Sequence, residues 1–253
     1  MTTLADDARL ARRIADAAGA LLLTLRDTGL FEGKALGAAG DRVANAMILE
    51  ALKQARPDDA VLSEESVDDV ARLERSRVWI VDPLDGTREY SEGRVDWAVH
   101  VALSVDGQPA AGAVALPALG VTFDSAAPPP LPARNTPLRM LVSRTRPAPE
   151  AVAVANEIGA ELLPMGSAGA KAMAVVRGEA DIYLHSGGQY EWDSCAPVAV
   201  ALAAGLHVSR IDGGAMLYNR ADVYLPDLLI CREEEADNLL ALVQRLAPAR
   251  SAA

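Results

Sequence analysis

Two carboxylates three residues apart, Asp82 and Asp85, stand in the stretch VWIVDPLDGTREYSE (78–92), with Gly86 and Thr87 directly behind them. Trp79, Ile80 and Val81 read as a fully buried strand. Pro83 is expected to end its ladder, and Gly86 permits a backbone with positive φ. Both acids then project near one point at the strand end, with the Leu84 carbonyl between them. Such hard-oxygen ligation suits Mg²⁺ and leaves positions open for water and phosphate. Taken alone, the same residues also read as an Asp-rich turn capping a helix.

Three further acidic sites share this setting. AVLSEES (60–66) is a short apolar strand ending in Glu64 and Glu65, or else a solvated charge cluster. In YEWDSCAPVAVALAAGL (190–206), Asp193 sits where a helix begins, Pro197 falls in its first turn and Gly205 sits where it would end. In GAAGDRVANAMILEALKQ (37–54), Asp41 opens an amphipathic helix. Asp193 and Asp41 each also read as a plain N-cap. Together the four sites supply what a two- or three-cation phosphatase needs. Two cations about 4 Å apart clamp a phosphate and lower the pKa of a bound water. No Ser-His-Asp or cysteine-based nucleophile is evident, so water is the expected attacker.

The elements that must position these acids follow from periodicity. Helical patterns cover 3–27, 41–56, 148–159, 168–178, 194–204 and 233–246. Strand-like runs are 60–62, 78–81, 97–105, 111–115, 120–123, 139–143, 182–184, 207–209 and 228–230. In DWAVHVALSV, Trp97, Val99, Val101, Leu103 and Val105 face one way, and His100 on the other face reads as structural. The proline-rich stretch AAPPPLPARNTP (126–137) cannot join a ladder and reads as a linker. This predicts a metal-binding α+β half (1–135) and an α/β half (136–253) that completes the site. Each half layers helices on sheet, an α/β fold with two sheets.

Composition sets outer bounds. The 253 residues fit one large domain or two halves sharing a core, and 51% are apolar. A net charge of −11 argues against bulk nucleic-acid binding. The N-terminus carries acids where a signal peptide would be basic, its apolar residues recur at helical spacing, and Leu21–Leu25 is far too short to span a bilayer. Cys195 and Cys231 form no framework, which fits a reduced, cytoplasmic protein. GLFEGKA (29–35) fails as a P-loop because Ala35 stands where a Ser or Thr would ligate Mg²⁺.

From about Asp41 to Cys231 the chain resembles the inositol monophosphatase-like, Mg²⁺-dependent phosphatases. SEES matches the family's acidic pair, WIVDPLDGT its W-I-[VI]-D-P-[IL]-D-G-T signature, and EWDSCAP its C-terminal W-D motif. Asp41 lies 23 residues before Glu64 (64 − 41), where the family places its helix aspartate. The resemblance implies an inositol monophosphatase/fructose-1,6-bisphosphatase-like αβαβα sandwich with two sheets. It implies that Glu64, Asp82 and the Leu84 carbonyl ligate a first cation. Asp82, Asp85 and Asp193 would hold a second, and Glu64 would reach a third. Thr87 with Asp41 would orient the attacking water, and the backbone at Gly86 and Thr87 would bind phosphate. Family members occur as dimers, so a homodimer is compatible with it.

Within the family, DGTREY, SRTRP (143–147) and GSAGAK (166–171) are similar to the branch that acts on 3′(2′),5′-bisphosphorylated nucleotides. Ser143, Arg144, Ser167 and Lys171 would then face a second phosphate or the ribose. Arg88 would pair with a phosphate or with Glu89. His185, eight residues before Asp193 (193 − 185), would touch substrate or serve structure. The implied reaction is hydrolysis of the 3′-phosphate of adenosine 3′,5′-bisphosphate, or of its sulfated form, to a 5′-monophosphate and phosphate in sulfate assimilation. Inositol-1-phosphate or fructose-1,6-bisphosphate hydrolysis is the alternative on the same fold. An idle bisphosphonucleotide sensor is the alternative of a different class, and the intact acid set argues against it. One segment departs from the family: Lys34 is followed by ALGAAGD, without the usual Ser-Pro-Val-Thr. Asp41 is kept and the loop chemistry is not, which bears on the third cation and on lithium sensitivity.

Overall fold

Alternation along one strand decides the layering. In β2 (Arg77–Asp85), Trp79 and Val81 join a core with helices α1 (Leu4–Asp27) and α2 (Gly33–Ala55). Val78 and Ile80, one position over, join a second core with α5 (Ala168–Val176) and α6 (Glu191–Ala203). A strand buried on both faces reads as the continuous apolar run seen in the sequence. In the other sheet, β10 (Tyr224–Arg232) repeats the device. Leu228 and Ile230 enter the central core, while Leu229 and Cys231 meet α4 (Pro149–Ile158) and α7 (Ala236–Leu246).

The result, in a computed structural model that describes residues 2–246, is the five-layer αβαβα arrangement. The first sheet runs in order β1 (Ala60–Ser63), β2, β3 (Ala98–Val105), β4 (Gln108–Leu116), β5 (Val121–Asp124), with only β1–β2 parallel. The second runs β7 (Glu161–Met165), β6 (Arg139–Ser143), β8 (Ile182–Tyr190), β10, β9 (Leu206–Ser209). Residues 125–138 connect the sheets and contain no strand or helix. Asp181 ties this connection down, accepting the Asn135 and Arg139 amides at 2.9 Å each. Among the described residues no helix is long and apolar enough to cross a membrane.

Three local expectations are corrected. Pro83 does not end the ladder. The β2–β3 register breaks between Asp82 and Asp85 and resumes at Asp85, opposite Ala98, so proline sits in an irregularity. Asp41 does not open a helix. α2 begins at Gly33, two turns earlier, and the ALGAAGD segment is helical throughout. Pro197 is not in a first turn either. α6 starts at Glu191, which puts Pro197 inside it, where it withdraws the amide that would bond the Asp193 carbonyl. The short helix α3 (Thr87–Ser91) and strand β7 were not foreseen.

Candidate active site

The irregular end of β2 turns Asp82 and Asp85 toward the start of α6, where Asp193 stands. Carboxylate oxygens of Asp82, Asp85 and Asp193 all lie within 4.8 Å of one another. Asp193 is held by its own helix, accepting the Tyr190 amide at 2.6 Å as the third residue of the first turn rather than as the N-cap. Asp82 is buried; its Oδ1 accepts the Leu84 amide at 3.0 Å, and its carboxyl group also meets that of Glu64. Burial first, then the charges of Glu64, Asp85 and Asp193, push its carboxyl well above the ordinary range. Burial and then Asp85 raise Asp193 to about 6. Glu64 is exposed as a residue, but its carboxyl end is crowded by protein. That desolvation, then Asp193, raises it to about 7.

Asp85 goes the other way. Burial alone would raise it, but the His100 charge, the His100 contact and the Gly169 amide bring it below the usual value. The Ala168 and Gly169 amides at the start of α5 donate to its two oxygens at 3.2 and 2.6 Å. His100 Nε2 lies 3.2 Å from Asp85 Oδ2, while Nδ1 lies 3.0 Å from the Trp192 carbonyl. Nδ1 must donate to a carbonyl. A neutral ring would then present a lone pair to Asp85, whereas a protonated ring would set a positive charge beside it, although Nε2 is not aligned for a hydrogen bond. Burial opposes that charge, but Asp85 outweighs it, and the His100 pKa is raised. The histidine expected to be purely structural is therefore in the core and also fixes a candidate metal ligand.

Gly86 turns the chain with φ 86°, where a Cβ would come within 2.9 Å of Ser167. α3 follows. The Thr87 hydroxyl sits 3.1 Å from the Leu84 carbonyl and 3.4 Å from Asp41 Oδ1. Asp41 thus reaches the site from the middle of α2, one turn before Asn45, which bonds Ser63 at 2.8 Å and Ser66 at 3.1 Å. Burial, then Glu65, raises Asp41 to about 7. α2 approaches this closely through Gly37, where a Cβ would lie 2.6 Å from Thr87 Cγ2.

Some of these acids line a cleft of about 480 Å³. Glu64, Asp85, Gly86, Arg88, Ser143, Arg144, Ser167, Lys171 and Asp193 line it, whereas Asp41, Asp82, Leu84 and Thr87 are not among its lining residues. Several expected substrate contacts already have partners. Arg88 pairs with Glu92 at 2.9 Å, not with Glu89. Arg144 reaches Glu89 at 2.6 Å and Glu92 at 3.0 Å. Ser167 caps α5 by accepting the Ala170 amide at 2.9 Å. Lys171 is buried, bonds the Gly166 and Ser167 carbonyls, and is lowered to about 8 by burial against the pull of Asp85. His185 lines the cleft and contacts the Gly188 carbonyl at 3.2 Å. Arg146 and the stacked rings of Tyr190 and Trp192, with centroids 5.0 Å apart, also line it and were not foreseen. Arg146 lies two residues past the singled-out Ser-Arg pair, so its charge was the available signal.

The description "Inositol monophosphatase family" matches residues 9–247 of this chain. The chain is 52% identical over 240 residues to the 3′-phosphoadenosine 5′-phosphate phosphatase of Mycobacterium bovis, covering 89% of each. It is 31% identical over 207 residues to the 3′(2′),5′-bisphosphate nucleotidase CysQ of Salmonella typhimurium, covering 74% of this chain and 81% of that one. The crystal structure of CysQ from Bacteroides thetaiotaomicron superposes with a TM-score of 0.76 at 25% identity, over 90% of this chain and 97% of that one.

Proposed function

The chain belongs to the inositol monophosphatase family, and from that premise we propose that it removes the 3′-phosphate of 3′-phosphoadenosine 5′-phosphate with Mg²⁺. The observation that carries the reading is the convergence of Asp82, Asp85 and Asp193 within 4.8 Å, with Asp85 and Asp193 lining a cleft that Arg146 also lines. The carboxylates suit a cation, and the guanidinium suits an anion beyond the reacting phosphate. The name of the Mycobacterium bovis relative supports the substrate.

The residues present fit divalent cations. Every clustered donor is a carboxylate oxygen, the donor class Mg²⁺ favours. Three raised carboxyls, Asp82, Asp193 and Glu64, record burial first and mutual repulsion second, and a cation would offset both. Asp82, Asp85, Asp193, Glu64 and the Leu84 carbonyl would hold two or three ions. When bound, they supply positive charge to the phosphate oxygens and acidify water.

The chain's own residues do the rest. The Ala168 and Gly169 amides with His100 fix Asp85 in one orientation. Thr87, between Leu84 and Asp41, would hold the attacking water in line. Asp41, at about 7, would accept its proton near neutral pH. The Gly86 and Thr87 backbone would meet phosphate oxygens. The two free, buried cysteines support a reducing, cytoplasmic setting.

The test is a comparison of kcat/KM on 3′-phosphoadenosine 5′-phosphate, inositol-1-phosphate and fructose-1,6-bisphosphate. A preference for the nucleotide of about 10-fold or more is expected, worth about 1.4 kcal/mol of differential binding. A preference for either of the others would keep the metal chemistry and reject the nucleotide.

A further inference from the structure

We propose that Arg146 takes the second phosphate of the nucleotide, and that Arg144 is held away from it by Glu89 and Glu92. This rests on the nucleotidase reading above. A bisphosphorylated substrate brings one phosphate to the acid end of the cleft and leaves another, also dianionic, to be neutralised elsewhere. The cleft offers Arg88, Arg144, Arg146, Lys171 and His185. Their availability differs.

Arg144 sits between two carboxylates at 2.6 and 3.0 Å, so its charge is already balanced. Moving it to a ligand would leave Glu89, which is buried, without its cation. Arg88 is paired with Glu92. Lys171 is buried and directs its ammonium at two backbone carbonyls. Arg146 is exposed at the cleft lining, and its guanidinium has no ion-pair or hydrogen-bond partner among the described residues. A guanidinium displays paired donors that match phosphate geometry.

Its position is set by the fold. Arg146 lies in the turn between β6 and α4. Its amide donates to Ser143 Oγ at 3.3 Å, and the Arg144 amide donates to the Met165 carbonyl at 3.2 Å. Both anchors hold the turn against the sheet. His185 stands on the same side. Burial lowers its pKa, and the neighbouring charges of Lys171 and Arg146 push in the same direction.

The test uses the full chain with Mg²⁺ and two nucleotides, adenosine 3′,5′-bisphosphate and 3′-AMP, which lacks the second phosphate. The readout is the ratio of their kcat/KM values in wild type, R146Q, R146K and R144Q. R146Q is expected to lower the ratio about 10–100-fold, the scale of a charged hydrogen bond, through a higher KM for the bisphosphate. R146K should recover part of it, and R144Q should leave the ratio close to wild type. A ratio in R146Q within about twofold of wild type overturns the proposal. So does a collapse in R144Q alone. A wild type that hydrolyses neither nucleotide overturns the nucleotidase reading and the proposal with it, whereas an active wild type with an unmoved ratio overturns only Arg146.

Discussion

Asp82 and Asp85 are neighbours that the fold pushes in opposite directions. Asp82 has few donors and several acids around it, and its carboxyl is raised. Asp85 has the His100 ring, whose pKa is raised, and two α5 amides, and is lowered. One acid is thus held ready as an anion, and the other needs a cation to become one. Replacing Asp193 with Asn should cut turnover by about 10³-fold or more. The same change removes one repelling charge, so the metal-free variant should melt at or above the wild-type temperature at pH 8. Phosphate release and thermal melts check both; near-wild-type turnover in D193N would remove it from the cation site. The acids themselves were legible because each follows a short apolar run in contiguous sequence. Their supports were not. His100, Ala168 and Gly169 come from a different strand and from the helix of another segment, and alternation alone made His100 look like a core residue.

Helices deliver these groups through glycines that leave room for contact. At Gly169 a Cβ would meet His100 Nε2 at 2.1 Å, and at Gly37 it would meet Thr87 Cγ2 at 2.6 Å. Ordinarily Gly→Ala inside a helix gains about 1 kcal/mol. Here the added methyl meets a ring and a short branched side chain that have little freedom to move. G169A is therefore expected to destabilise by about 1–3 kcal/mol in urea unfolding. G37A should lower kcat about 10-fold, by shifting Thr87 from Asp41, with circular dichroism unchanged. A G37A enzyme with wild-type kcat would show that the Thr87 position is not critical. The glycines also explain why the start of α2 was misread. GKALGAAG looked like a loop ahead of an N-cap aspartate, but Ala and Leu carry the helix through it. β7 escaped notice because Pro164 lies in it, which an edge strand tolerates.

At the scale of the molecule, five layers bring both sheets to one cleft, which residues of β2, α3, β6, α5, β8 and α6 line. The two sheets and the proline-rich connection between them were readable from strand patterns and composition. The pairing of α5 with Asp85 was not, because it spans 84 residues between Asp85 and Gly169. Gathering acids this way has a cost that depends on pH. In the metal-free protein Asp41 and Glu64 at about 7, and Asp193 at about 6, keep protons that unfolded carboxyls release near 4. Between those values the folded state binds more protons, so stability falls as pH rises. Raised His100 acts in the same sense, its contribution being lost as pH climbs through its folded value. Lowered Asp85 matters only below the ordinary carboxylate range. The metal-free melting temperature should therefore drop by several degrees, about 3 °C or more, from pH 5 to pH 8. Mg²⁺ should raise it more at pH 8 than at pH 5, and an equal gain at both would detach the cation from these acids. The most direct test of the whole account is phosphorus NMR of adenosine 3′,5′-bisphosphate with the enzyme in Mg²⁺, then with excess EDTA, then with Mg²⁺ restored. The account predicts the 5′-monophosphate and orthophosphate, formed only while Mg²⁺ is free. Loss of the 5′-phosphate instead, or turnover that EDTA leaves intact, would contradict it.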